Sequence, residues 1–259
     1  PGNYQFGVNP SDASIWFAWD NYIHGFDAQG NYFKFDDSNV PVFDGNTAVS
    51  TIVQIGFTTT SVFAVDRYIG LMRYDGQDWT ILSTWDYGNS ISTDKDSIWV
   101  ANDDFGYVTW KDGFTQEHNN PTQFDRIVSR KGDMWGSPGY DSGTIYRIDG
   151  VSLTPFYADS HGYLLDNSNI SFKFSPVTDT LFTAGEKGIS LMYGGAFIDT
   201  LTVYNTVNMP SGTIREIEIE LLMSNEVRVI LQLQALHEHR PNSFELLLFT
   251  SCSTSALTR

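Results

Sequence analysis

The chain has 259 residues, of which 41% are hydrophobic, 15% aromatic and only 18% charged. Thirty-one acids against fifteen bases give a net charge of −16, which argues against a nucleic-acid partner and an anionic membrane surface, since both require clustered Lys and Arg. The single cysteine, Cys252, leaves no internal disulfide framework.

No run of about 18 apolar residues is present, so no membrane-spanning helix is expected. The start, Pro1-Gly2-Asn3-Tyr4-Gln5, lacks the basic and apolar regions of a secretory signal. Beginning without Met, the chain reads as a domain of a larger protein or a processed product.

A short strand centred on an aromatic residue recurs along the chain. Its copies are Ser14-Ile15-Trp16-Phe17-Ala18, Ser61-Val62-Phe63-Ala64-Val65, Ser97-Ile98-Trp99-Val100-Ala101, Asp133-Met134-Trp135-Gly136-Ser137 and Thr180-Leu181-Phe182-Thr183-Ala184. The central aromatics are 47, 36, 36 and 47 residues apart, near the length of one four-stranded propeller blade. Asn225-Glu226-Val227-Arg228-Val229 is a weaker sixth copy.

Each copy is preceded by a strand, from Tyr4–Val8 through Ile52–Phe57, Ser90–Thr93, Phe124–Val128 and Ile170–Phe174 to Ile214–Ile219. A second strand follows and runs into a turn, as in Tyr74-Asp75-Gly76, Lys111-Asp112-Gly113 and Ile148-Asp149-Gly150. Asp-Gly between apolar runs signals a hairpin, because Gly accepts positive φ. A further strand closes each unit, as in Tyr32–Phe35 and Trp79–Leu82. Four short strands repeated six times predict an all-β fold, a single β-propeller domain over residues 1–259. Its blades are expected near 1–40, 49–85, 89–118, 123–158, 168–205 and 213–259. A blade buries its faces only against its neighbours, so the recurring Trp and Phe are expected between blades.

The last blade is the least regular. No Gly occurs after Gly212, and Leu-rich segments (Leu221-Leu222, Leu246-Leu247-Leu248) replace the aromatic pattern. Residues 226–240 read as a strand running into a short helix, or as a poorly ordered end.

The pattern Ile-Trp-Val-Ala, then Gly, an apolar strand, Tyr-Asp-Gly and Trp-Thr is carried best by residues 61–82 and 97–113. It resembles the two-component-regulator propeller repeat over roughly residues 11–204. The resemblance implies a bacterial context, often Bacteroidetes, as a periplasmic sensor ectodomain or a secreted surface protein. It therefore implies an extracellular or periplasmic location.

Candidate chemistry is sparse. His161 in Asp159-Ser160-His161-Gly162 has the flanking groups of a general base, though a solvated loop explains it as well. His237 and His239 would share one strand face. Asp36-Asp37-Ser38-Asn39 comes nearest to a calcium loop, but Asp and Asn also favour turns. Phosphate-binding loops, nucleophile elbows and zinc motifs are absent from the sequence. No catalytic residue, metal or cofactor is expected.

Aromatics outside the repeated strands, beside Asp and Asn, suit the apolar faces and polar edges of a sugar or peptide. Trp19, Trp85, Tyr87, Asp103 and Tyr140 are the expected binding residues at one rim, with Tyr22 nearby. The expected function is a non-catalytic ligand- or partner-binding module of an exported bacterial protein, taking a protein or carbohydrate. The alternatives are a propeller lyase or glycoside-active enzyme with its site at the channel mouth, and a structural spacer.

Overall fold

The computed structural model describes residues 6–19, 22–43, 52–84, 88–102, 106–119, 122–138, 144–150, 152–157, 171–175, 179–185, 188–193, 196–202, 213–221, 227–234 and 242–248. Side chains are described as far as Ala196, apart from Trp19, Tyr157 and Gly185. The chain divides into two compact units, Pro1–Gly139 with Tyr146–Thr154, and Tyr140–Ile145 with Pro155–Arg259.

The described residues form antiparallel sheets whose strands pair in chain order. The first sheet comprises β1 (Phe6–Val8), β2 (Ile15–Trp19), β3 (Tyr22–Phe26) and β4 (Tyr32–Phe35). The second comprises β5 (Ile52–Phe57), β6 (Val62–Asp66), β7 (Gly70–Tyr74) and β8 (Trp79–Ser83). The third holds β9 (Gly88–Asp94), β10 (Ser97–Asn102), β11 (Gly106–Lys111) and β12 (Phe114–Asn119). The fourth holds β13 (Arg126–Arg130), β14 (Asp133–Ser137), β15 (Thr144–Asp149) and β16 (Ser152–Tyr157). In the fifth are β17 (Ser171–Phe174), β18 (Leu181–Gly185), β19 (Gly188–Tyr193) and β20 (Ala196–Thr202). The sixth has three strands, β21 (Thr213–Leu221), β22 (Val227–Gln234) and β23 (Asn242–Leu248). The architecture is the expected all-β propeller fold.

In the tail, residues 227–234 form the strand expected at the start of the 226–240 segment, and 242–248 supply another; residues 235–241, where a short helix is expected, lie outside the described residues. The period-two order Val227, Val229, Leu231, Leu233 explains the first. The fourth sheet's opening strand also starts two residues later than expected, at Arg126, leaving Phe124 as a buried plug before it.

Alternation along the strands divides the core into layers between sheets. Trp16, Ala18 and Ile23 meet Val62, Ala64, Met72 and Trp79 between the first two sheets. Phe63, Val65 and Leu71 face Ile98, Val100, Val108 and Trp110 between the second and third. Ala101 and Tyr107, with partly buried Trp99, meet Phe124, Ile127, Met134 and Ile148 between the third and fourth. The repeated aromatic thus points to the following sheet in all three layers. Trp16 lies edge-on to Trp79 at 6.4 Å, and Phe63 stands 4.8 Å from Trp110. Trp135 and Phe182 are likewise buried. On the first sheet, Phe6, Val8, Ile15, Phe26 and Tyr32 remain exposed. In the second unit, β17 and β18 lie against β21.

First strands of successive sheets run side by side, β5 against β9 and β9 against β13. Each is the edge of its own sheet, so half its amides face away from its partner. Side chains of the preceding sheet accept from them. Ile91 N–H donates to Gln54 Oε1 at 2.8 Å, Ile127 N–H to Ser90 Oγ at 2.9 Å and Ser129 N–H to Ser92 Oγ at 2.8 Å. Both members of each pair advance along the chain together, so these strands are parallel.

Candidate functional site

Because the first strands are parallel, equivalent edges of the sheets coincide. One edge of the first three sheets collects the β2–β3, β6–β7 and β10–β11 turns, with the ends of β4 and β8 and the starts of β5 and β9. Trp19 closes β2 at this edge, though its side chain lies outside the description. Trp85 and Tyr87 belong to the link between β8 and β9, and Asp103 to the β10–β11 turn; all three lie outside the described residues. Tyr140, between β14 and β15, does too. What the described residues supply is the frame on which these segments begin and end.

Two equivalent polar residues close the strands at this edge. Asp66 ends β6 and Asn102 ends β10, and both are fully buried. The Asp66 carboxylate accepts the amides of Tyr68 and Ile69, each at 2.8 Å, which folds the β6–β7 turn back on itself. That turn leaves Arg67 and Tyr68 exposed. The Asn102 carbonyl accepts the Phe124 amide at 3.4 Å, joining the third and fourth sheets.

Opposite each of these residues the first strand carries a bulge. Ile52 pairs with Asp66 and Gln54 with Val65, leaving Val53 as the extra residue. Gly88 pairs with Asn102 and Ser90 with Ala101, leaving Asn89 extra. Bulges bend a strand and re-aim the side chain they carry. At the second position that side chain is an amide, and its Nδ2 is buried with no hydrogen-bond partner. Asn89 is one residue from the link that carries Trp85 and Tyr87.

The same edge of the first sheet holds a charged cluster. Lys34 Nζ lies 4.3 Å over the Tyr22 ring and 2.9 Å from Asp36. The Asp37 carboxylate, by its charge, raises the Tyr22 phenol pKa, with hydrogen bonding to Asp37 adding to the shift. Asp36 is held down to about 2, first by the Ser38 hydroxyl and next by Lys34. Its Oδ1 accepts from the Ser38 amide and hydroxyl, while Asn39 Nδ2 donates to the Lys34 carbonyl. The Asp36–Asn39 segment is therefore turn chemistry, its lead carboxylate already engaged by local donors. Among the described residues, no three His, Cys, Asp or Glu side chains converge on one point.

His161, His237, His239 and Asp104 lie outside the described residues. His24 is buried against Phe17, the rings stacked at 5.5 Å, with Nδ1 2.7 Å from the Tyr32 hydroxyl. It serves the first sheet and lies away from the edge.

Sequence reading passed over Asp66, Arg67, Tyr68, Asn89 and Asn102. The repeat carries a signal for two of them, since Phe63-Ala64-Val65-Asp66 aligns with Trp99-Val100-Ala101-Asn102. Together the edge offers a buried amide donor, an exposed phenol and an exposed guanidinium. Groups of these kinds can hydrogen-bond to, and stack on, a polar molecule.

No family model matches the sequence, and no curated protein does. Solved structures do. The extracellular domain of the hybrid two component system BT3049 from B. thetaiotaomicron superposes with a TM-score of 0.63 at 14% identity over 96% of this chain. This chain spans about a third of that domain, 34% of its length. BBS1N, solved in complex with ARL6DN, gives a TM-score of 0.66 at 9% identity, covering 97% of this chain and 80% of that one. The WD40 repeats of RRP9 give 0.61 at 11% identity, covering 94% and 81%. At such identities the likeness is one of fold.

Proposed function

We propose that this propeller is a recognition module of an exported bacterial protein, without a catalytic centre, that binds a polar peptide or a glycan at the edge framed by Asp66, Asn89 and Asn102. The observation that carries the reading is the bulge at Asn89. It leaves a buried amide without a partner beside the segment that carries Trp85 and Tyr87. An unsatisfied buried donor is a place where a ligand or water gains a hydrogen bond at little cost in ordering.

An exported setting is supported by the repeat resemblance and by the fold shared with a bacterial extracellular domain. A net charge of −16 favours neutral or cationic ligands over anionic polymers.

A glycan array and a tripeptide array probed with the whole chain test the reading, followed by calorimetry with the best binder. Trp85→Ala and Asn89→Ala should each weaken binding at least about tenfold, one lost stacking or hydrogen-bonding contact. The Trp85 variant should melt where the wild type does. Unchanged affinity in both variants would refute the assignment of this edge.

A further inference from the structure

We infer that the outer face of the first sheet pairs with the same face of a second copy of this chain, giving a twofold dimer. Val8 pairs with Ile15, Ile15 with Phe26 and Phe26 with Tyr32, so one row of large side chains crosses all four strands. The residues of that row are 40% to 56% exposed, and Phe6, one step behind it, is 79% exposed.

Elsewhere in the fold the same row is covered. Its equivalent on the second sheet, Phe57, Val62, Tyr74 and Trp79, is buried or half-buried in the layer with Trp16 of the first sheet. On the third sheet Ile98 and Trp110 pair at the same place and are buried in the layer with Phe63 of the second. The first sheet therefore presents to solvent a face of the kind that another sheet normally covers. Single exposed hydrophobics need no explanation, but a contiguous patch marks an interaction site.

The neighbouring row, Phe6, Phe17, His24 and Lys34, holds this surface in place. His24 is buried, stacks on Phe17 at 5.5 Å and meets the Tyr32 hydroxyl through Nδ1 at 2.7 Å. The rings of Phe26 and Tyr32 stand 5.7 Å apart. A surface already ordered loses little freedom on docking. Neither row contains a carboxylate, although the chain has thirty-one acids. Aromatic enrichment with few charges is the composition of an interface core.

Size and self-complementarity favour a second copy as the occupant. The five exposed side chains present roughly 500 Å² of apolar surface. Two copies face to face bury on the order of 1,000 Å² before the rim of Tyr22 and Lys34 is added, close to the ~1,200 Å² at which specific interfaces begin. Among the described side chains, the other exposed large hydrophobics, Tyr68, Ile81, Phe114 and Tyr193, are spread over the second, third and fifth sheets. The patch therefore finds its match on another copy in itself, which makes the contact isologous and closed at two chains. The row lies at the end of the strands away from the β2–β3 turn, so pairing leaves the edge framed by Asp66, Asn89 and Asn102 open.

Sedimentation velocity of the whole chain, from about 1 to about 300 μM in about 0.15 M salt to screen the net charge, reads the assembly. The monomer should convert to a dimer and to nothing larger. Phe6→Asp and Val8→Asp, both at exposed positions, should each weaken the dimer at least about tenfold, because every substitution enters the contact twice. Phe114→Asp, as exposed as Phe6 but on the third sheet, should leave it unchanged. A second measurement needs no variant to fold. In an equimolar mixture of carbon-13-methyl-labelled and unlabelled chains, isotope-filtered NOEs should join the Val8 and Ile15 methyls to the Phe6, Phe26 or Tyr32 rings of the other copy. Four results overturn the proposal: a monomer at every concentration, growth beyond a dimer, a loss no larger in Phe6→Asp than in Phe114→Asp, or Val8 and Ile15 methyls that contact a distant segment of their own chain.

Discussion

Ser90→Ala tests how the first strands are held together. The Ser90 hydroxyl accepts the Ile127 amide at 2.9 Å. That amide points away from β14, so no strand replaces the lost acceptor. Ser90 is 9% exposed and Ile127 2%, which leaves water little access. Removing the oxygen therefore strands a buried donor, at a cost of about 1–3 kcal/mol. For a chain of this length each kcal/mol moves the melting temperature by about 2–4 °C, so a drop of about 2–12 °C is expected. Thermal unfolding followed by circular dichroism reads the shift, and amide exchange reads its location. Exchange at Ile127 should accelerate more than at Val128, whose amide faces β14. Ser90→Thr keeps the hydroxyl and should keep most of the stability. An unchanged melting temperature with unchanged Ile127 exchange would refute the view that side chains of one sheet satisfy the first strand of the next.

Other perturbations probe the rest of the fold. A Cβ on Gly25 would meet the Ile15 carbonyl oxygen at 2.3 Å and Phe33 Cζ at 2.2 Å; Gly25→Ala should fall at the upper end of about 1–3 kcal/mol, read as a lower denaturant midpoint. Gly56→Ala meets only the ends of Thr93 and Ile91, and should cost clearly less in the same assay. Trp16→Ala removes a ring packed 4.7 Å from Phe33 and 5.7 Å from Tyr74, and should cost about 3–5 kcal/mol. Burial lowers the His118 pKa below its usual 6.5, and the ring stacks on Tyr107 at 4.4 Å. The unfolded chain therefore binds that proton more readily, so His118's contribution is complete above about pH 6.5 and is lost as pH falls through it. His118→Gln should flatten the melting-temperature profile between about pH 7.5 and pH 5.5.

The strands were legible because their signals are local. Aromatic-centred runs mark the second strands, and Asp112-Gly113 gives the positive φ values, 52° and 85°, that a two-residue hairpin requires. The tail was less legible because Leu-rich blocks without Asp-Gly do not distinguish strand from helix. The edge with Asn89 was less legible, since a bulge adds one residue without altering composition. Val8, Ile15, Phe26 and Tyr32 read as ordinary core residues until the sheets are stacked and leave them exposed.

The links between first strands show what periodicity does encode once the stacking is known. Repeated aromatics Phe63, Trp99 and Trp135 are 36 residues apart, yet Gln54–Ile91, Ser90–Ile127 and Ser92–Ser129 are each separated by 37. Each acceptor thus reaches the amide one residue beyond its own equivalent in the next sheet, a uniform one-residue stagger between parallel neighbours. Gln54 and Ser90 are equivalent under the 36-residue repeat and share nothing but an acceptor oxygen at a suitable reach. What the two positions have in common is that oxygen and not a residue type, which is why a search for recurring side chains finds the aromatics and misses the atoms that link the first strands.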